Sequence, residues 1–164
     1  MKRNLSMIKY LTLHRWNVFL MCIKLKVPIT QAVIHDWTKY LPNEWKSYTH
    51  FFYDEFGNLR DLDNEKSKPE FKDAKKRFMK AWKKHVHYHK HHWQAWLNEN
   101  KQPKEMPEKY IREMVADWIG TGMTLNGGKI VVNEWYQENK DKIILNPKTR
   151  ERIEEILKDI KDTI

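Results

Sequence analysis

Residues 4–26 read NLSMIKYLTLHRWNVFLMCIKLK. Within them Met7, Leu11, His14, Val18, Met21 and Leu25 recur at spacings of three and four. That is one face of a 3.6-residue period, so the stretch is a helix with His14 on its apolar stripe. Val27-Pro28 ends it, because proline disfavours a helical residue before it. Pro28 can stand in the first turn of a second helix, Ile29 to about Asp36, buried through Ala32, Val33 and Ile34. Further out, Leu41-Pro42-Asn43-Glu44 opens a helix to about Tyr53, with Trp45, Tyr48, Phe51 and Phe52 as packing residues. A long helix is expected from Glu70 to about Asn98, carrying Phe71, Phe78, Trp82, Trp93 and Trp96. Pro107-Glu108 opens another, to about Met123, with Ile111, Met114, Val115, Trp118 and Ile119. A shorter one covers Ile130 to Asn139. The last runs from about Lys148 to Asp162 on Ile153, Ile156, Leu157 and Ile160.

Between these segments, residues 54–69 are polar and hold Gly57-Asn58 and Asp61-Leu62-Asp63-Asn64, which reads as the main loop and a candidate lid. Asn126-Gly127-Gly128 is a turn. No alternation of apolar and polar residues is long enough for a strand, and no internal repeat is present. The expected fold class is all-α, a single domain over residues 1–164 with six or seven helices.

At 164 residues the chain is long enough for a real core, and 40% hydrophobic with 13% aromatic residues argues against disorder. The mean hydropathy of -0.86 is low, but 8 tryptophans offset it. No run approaches the ~18 apolar residues of a membrane span. The basic start, Met1-Lys2-Arg3-Asn4, is followed by a run broken by Lys9, His14, Arg15 and Asn17, unlike a signal peptide. No membrane partner and a cytoplasmic location are expected. The one cysteine, Cys22, has an apolar helical setting and reads as a small buried hydrophobe. A net charge of +9 favours anionic partners such as nucleotides or nucleic acid, although much of it is the solvated face of helices. Oligomeric state is not legible.

The chemistry gathers around Val33-Ile34-His35-Asp36-Trp37-Thr38-Lys39. An adjacent imidazole and carboxylate can offer nitrogen and oxygen to one metal ion. The run His85-Val86-His87-Tyr88-His89-Lys90-His91-His92 holds five of the 8 histidines. On an unbroken helix His85, His89 and His92 share a face with Phe78, Trp82 and Trp96, whereas His87 and His91 face solvent. His85 and His92 are therefore the preferred interior ligands, with His89 next; the plain alternative is a basic surface stretch. Asp117, in an apolar helix beside Trp118, must be paired, hydrogen-bonded or metal-bound, since bare burial costs several kcal/mol. A salt bridge to Arg112 or Lys109 explains it as well. His14 likewise reads as a ligand or as a hydrogen-bonded core residue.

A helix-borne His, a His-Asp pair at a helix end, a histidine group and a helix-borne Asp together resemble the HD-domain metal-dependent phosphohydrolases. The resemblance implies an all-α, HD-domain-like bundle in which His14, His35, Asp36 and Asp117 bind one ion. His85 and His92 are then candidates for a second. His35-Asp36-Trp37-Thr38-Lys39 is similar to a His-Asp-x-x-Lys variant whose lysine meets the substrate phosphate, a role that falls to Lys39. Residues 35–53, 81–97 and 106–118, and Asn146-Pro147-Lys148-Thr149-Arg150, resemble an uncharacterised family common in phage and bacteria, which brings no substrate.

These readings imply hydrolysis of a nucleotide or a linear or cyclic oligonucleotide by metal-activated water. One or two divalent ions are expected, and Mn, Fe, Co, Ni or Zn suits mixed imidazole and carboxylate ligands. Asp36 and Lys39 would act at the reacting phosphate, with Lys90 and Arg112 as further substrate contacts. Glu44 is either a proton shuttle or a helix N-terminal acid. The competing reading is a basic nucleotide- or nucleic-acid-binding protein without catalysis, with a structural metal site or none.

Overall fold

The expected first helix is present as α1 (Lys2–Lys24), in a computed structural model that describes residues 1–66 and 68–161. Of the residues the period marks, Met7, Leu11, His14 and Val18 are buried and Met21 and Leu25 half-buried; Cys22 completes the buried face of the helix. It closes with Lys26 in the left-handed region at φ 57° and a bond of 2.9 Å from the Val27 N–H to the Cys22 carbonyl. That is the geometry of a Schellman cap, here without the usual glycine. The other helices are α2 (Ile29–Ile34), α3 (Pro42–Phe52), α4 (Pro69–Tyr88), α5 (Glu108–Leu125), α6 (Val132–Asn139) and α7 (Pro147–Lys161). Short 3-10 turns cover Trp37–Tyr40, Trp93–Trp96 and Lys140–Lys142. Seven helices and no strand among the described residues make the chain all-α. The end expected at Asp162 lies outside those residues.

Two expectations about the helices fail. Val33 and Ile34, expected to bury α2 together with Ala32, are exposed: consecutive residues stand about 100° apart on a helix, and of the three only Ala32 faces inward. The long helix stops at Tyr88 rather than Asn98, and Trp93 and Trp96 sit in a 3-10 turn. The turn that replaces it is closed by His92 N–H to the His89 carbonyl at 3.4 Å, Ala95 N–H to the His92 carbonyl at 3.0 Å, and Trp96 Nε1 to the Lys90 carbonyl at 2.8 Å. Histidine is a mediocre helix former, so a run of five resists tertiary demands weakly.

The chain sorts into two compact units, Met1–Thr12 with Asp36–Tyr88, and Leu13–His35 with the chain from His89 onward. In the first, α3 packs along α4 around Met7, Leu11, Tyr48, Tyr53 and Ala81, joined by Phe52, Phe78 and Trp82. Phe51 and Phe78 stack at 4.2 Å. The polar loop begins as a tight turn against the first turns of α1. Ser6 Oγ donates to the Gly57 carbonyl at 2.7 Å, and a Cβ on Gly57 would stand 2.8 Å from that oxygen.

In the second unit, Ile111, Met114, Val115 and Ile119 of α5 meet Val132 and Tyr136 of α6 and Ile153, Ile156 and Leu157 of α7. The rest of α1 adds Val18 and Cys22 against Ala116. Gly120 is what allows this approach: a Cβ there would lie 2.5 Å from Val18 Cγ2 and 2.8 Å from the Val18 nitrogen. The Asn146–Arg150 string is structural. Asn146 Oδ1 accepts from the Lys148 N–H at 3.0 Å at the start of α7, Thr149 Oγ1 accepts from the Met106 N–H at 3.0 Å, and Arg150 Nη2 donates to the Ile143 carbonyl at 2.7 Å.

Candidate metal centre

Helix α5 sets Glu113 and Asp117 four residues apart, on one face. Three imidazoles of the same unit gather on those carboxylates. His14 of α1 places Nε2 3.4 Å from Asp117 Oδ1. His35 follows α2 directly, and Arg15 clamps that end by donating to the Val33 carbonyl at 2.7 Å and the His35 carbonyl at 2.9 Å. His35 Nε2 lies 3.5 Å from Asp117 Oδ1. His91, on the turn after Tyr88, has Nε2 3.9 Å from Asp117 Oδ2. The rings of His14 and His35 are 5.7 Å apart, and those of His35 and His91 4.5 Å.

The opposite edges of two rings share one acceptor. Glu113 Oε1 stands 2.9 Å from His35 Nδ1 and 3.1 Å from His91 Nδ1. Gln31 Nε2 donates to the other carboxylate oxygen. Burial pushes the Glu113 carboxyl up, but the bonds from His35 and His91 outweigh it and hold it at about 2. An ionised Glu113 accepts only, so Nδ1 of both rings carries hydrogen and Nε2 turns toward Asp117. His14, His35, His91 and Glu113 are all buried.

These side chains could hold a metal ion. His14, His35 and Asp117 each offer an atom within 4.8 Å of the others, as do His35, His91 and Glu113. Imidazoles with a carboxylate suit Mn, Fe, Co, Ni or Zn and leave the choice among them open.

The first unit holds its own buried network. Asp36 takes the left-handed conformation at φ 54°, which aspartate tolerates better than most residues. Its carboxylate pairs with Lys39 Nζ through one oxygen and with His85 Nε2 at 3.1 Å through the other. His85 Nδ1 meets Glu44 Oε2 at 2.9 Å. Burial pulls the His85 imidazole down, but hydrogen bonds to Asp36 and Glu44 outweigh it and raise it, favouring the imidazolium. Lys39 Nζ lies 5.5 Å above the Tyr48 ring.

Of the expected site residues, His14, His35 and Asp117 thus come together in one unit, and Asp36, Lys39 and His85 in the other. His92 is half-buried, its ring 4.1 Å from that of His91. The shared face of His85, His89 and His92 does not exist, because the helix ends between them. His91, expected in solvent, is 1% exposed. Arg112 is engaged elsewhere, donating to the Leu25 carbonyl at 2.8 Å and to Glu108 at 2.6 Å. Lys90 is half-buried on the turn after α4. Glu44 stands in the first turn of α3, as its helix N-terminal reading expects, and also meets His85. Glu113 was missed, although it carries the same signal as Asp117: an acid in an apolar helix, one turn earlier on the same face. Cys22 is buried as expected; burial first, then Glu113 and Asp117, push its thiol up to about 12.

Residues 3–159 match the model of a family described as a family of unknown function, DUF5662. This chain belongs to that family. No curated protein and no solved structure matches it. The DUF5662 description names no activity.

Proposed function

We propose that this DUF5662 chain is a metal-dependent phosphohydrolase acting on a phosphate ester of a nucleotide or oligonucleotide. Its ion would be held by His14, His35, His91 and Asp117. The observation that supports the reading is the gathering of three imidazole Nε2 atoms around one carboxylate, with two of the rings oriented from behind by Glu113. An ordinary salt bridge needs one such imidazole. Three around one carboxylate, all buried, make a costly way to pair charges and a good way to bind a cation. Oriented rings with a carboxylate behind them are the usual support of metal-bound histidine.

When bound, the ion supplies a Lewis acid that activates water and offsets charge on the phosphoryl oxygens. The chain's own groups do the rest. Glu113 keeps hydrogen on Nδ1 of His35 and His91, so both present Nε2. Lys39, to which the HD likeness gives the phosphate contact, is paired with Asp36 within its own unit. The +9 charge draws anionic substrates toward the protein. Asp36, the further ligand that the HD likeness implies, is paired within its own unit with His85 and Lys39, and the proposed set does not draw on it.

The test is titration of the purified, chelator-treated chain with Mn and Zn by calorimetry, followed by phosphate release from nucleotides and a generic phosphodiester. Saturable binding near one ion per chain, lost in His14→Ala and Asp117→Asn, with metal-dependent turnover, is the expected result. No retained metal and no phosphate released, with chelator-insensitive DNA binding of steep salt dependence, would instead establish the non-catalytic reading.

A further inference from the structure

Helix α1 is apolar on two sides. Opposite its buried face, Leu5, Ile8, Leu13, Trp16, Leu20 and Ile23 are 38–69% exposed. Such side chains scattered singly mean little, but these lie along one helix. Leu5 and Ile23 are five full turns apart and fall on the same line. With Thr12, also exposed, the stripe runs Leu5, Ile8, Thr12, Trp16, Leu20, Ile23. Its steps are three, four, four, four and three residues, which read the same in both directions about position 14.

We infer that this stripe is the contact between two copies of the chain, packed α1 against α1 in antiparallel sense about a two-fold axis. A symmetric contact requires a surface complementary to itself, and a palindromic stripe on a helix supplies that. Leu5 then faces the partner's Ile23, Ile8 faces the partner's Leu20, and Thr12 faces the partner's Trp16, small against large. At roughly 100 Å² for each half-exposed side chain, six per copy bring about 1,200 Å² to the contact, the lower bound for a stable interface. An anionic lipid surface is the rival occupant, since α1 carries Lys2, Arg3, Lys9, Arg15 and Lys24 and no acid. The self-complementary spacing favours a second copy, because a lipid surface requires no such symmetry. The basic side chains also set opposite salt responses: added salt screens their mutual repulsion and tightens the dimer, but loosens a lipid contact.

Sedimentation equilibrium of the full chain, with Trp16→Glu and Leu20→Glu, tests the contact. The unmodified chain is expected to dimerise in the micromolar range, more tightly at high salt, and each variant to dissociate at about 100-fold higher concentration with unchanged helical circular dichroism. Mixed Leu5→Cys and Ile23→Cys chains should oxidise to a covalent heterodimer, whereas Leu5→Cys alone should not cross-link. A chain that stays monomeric at ~100 µM, one that cross-links through Leu5→Cys alone, or one that is monomeric in solution and binds phosphatidylserine vesicles would each overturn the inference.

Discussion

A single oxygen, Glu113 Oε1, stands 2.9 Å from Nδ1 of His35 and 3.1 Å from Nδ1 of His91. Two rings on different parts of the chain are thereby turned the same way. In Glu113→Gln the acceptor weakens, and the new amide donor faces donors. The variant is expected to bind Mn or Zn about 10- to 100-fold more weakly while keeping its helical spectrum, as calorimetry and circular dichroism would show. Unchanged metal affinity would remove the orienting role. Glu113→Ala should also lose at least about 2 kcal/mol of stability in denaturant, because several buried donors lose their acceptor together.

His91 separates what was legible in the sequence from what was not. The 3.6-residue period set the buried face of α1 and the cores of α3, α5 and α7, because those helices bury one side against neighbours over several turns. It could not place His91. The same period, carried past Tyr88, puts that ring in solvent. The helix stops there because the turn delivers His91 to Glu113, a long-range pairing that no local pattern records. Glu113 was legible by the argument applied to Asp117; His91 was not. His91→Ala is therefore expected to weaken metal binding by at least about 10-fold. His87→Ala, on an exposed ring, should leave it unchanged. Equal effects from the two variants would contradict the assignment.

At Gly120 α5 lies directly against Val18 of α1, in the same unit in which His14 meets Asp117. A methyl group at this position overlaps Val18 backbone as well as side chain, so the neighbour cannot yield by a rotamer change alone. Gly120→Ala is expected to lose about 2 kcal/mol or more, although alanine is the better helix former in isolation. A denaturant midpoint at or above that of the unmodified chain would mean that the helices separate at little cost.

Asp36 is fully buried and holds both Lys39 and His85. Asp36→Ala takes a buried acceptor from both Lys39 and His85 and is expected to destabilise the chain by roughly 3–5 kcal/mol. Loss of activity in that variant alone would thus say little about chemistry. Asp36→Asn keeps the shape and an acceptor oxygen, and should lose less stability. If both variants unfold at the same denaturant concentration as the parent, the network contributes nothing to the fold.

At the start of α5, Glu108 binds Arg152 of α7, with Arg152 Nη2 at 2.9 Å and Nε at 3.0 Å from Oε1, while Arg112 reaches the same oxygen at 2.6 Å. The bond from Arg152, more than the burial that opposes it, holds the Glu108 carboxyl below its ordinary value of 4.5. A carboxyl lowered in the folded state contributes stability above its unfolded value and loses it as pH falls through the folded one. Glu108→Gln removes that contribution at neutral pH, where Glu108 is charged, and changes little once the carboxyl is protonated. The gap in thermal midpoint between parent and variant should therefore be widest at pH 6 and close toward pH 3. Glu113, held at about 2, titrates alike in both proteins, so it cancels in the difference. Since Glu108 is well exposed, salt should narrow the gap at pH 6. A gap that is the same at both pH values would show that the Glu108–Arg152 pair adds nothing in water.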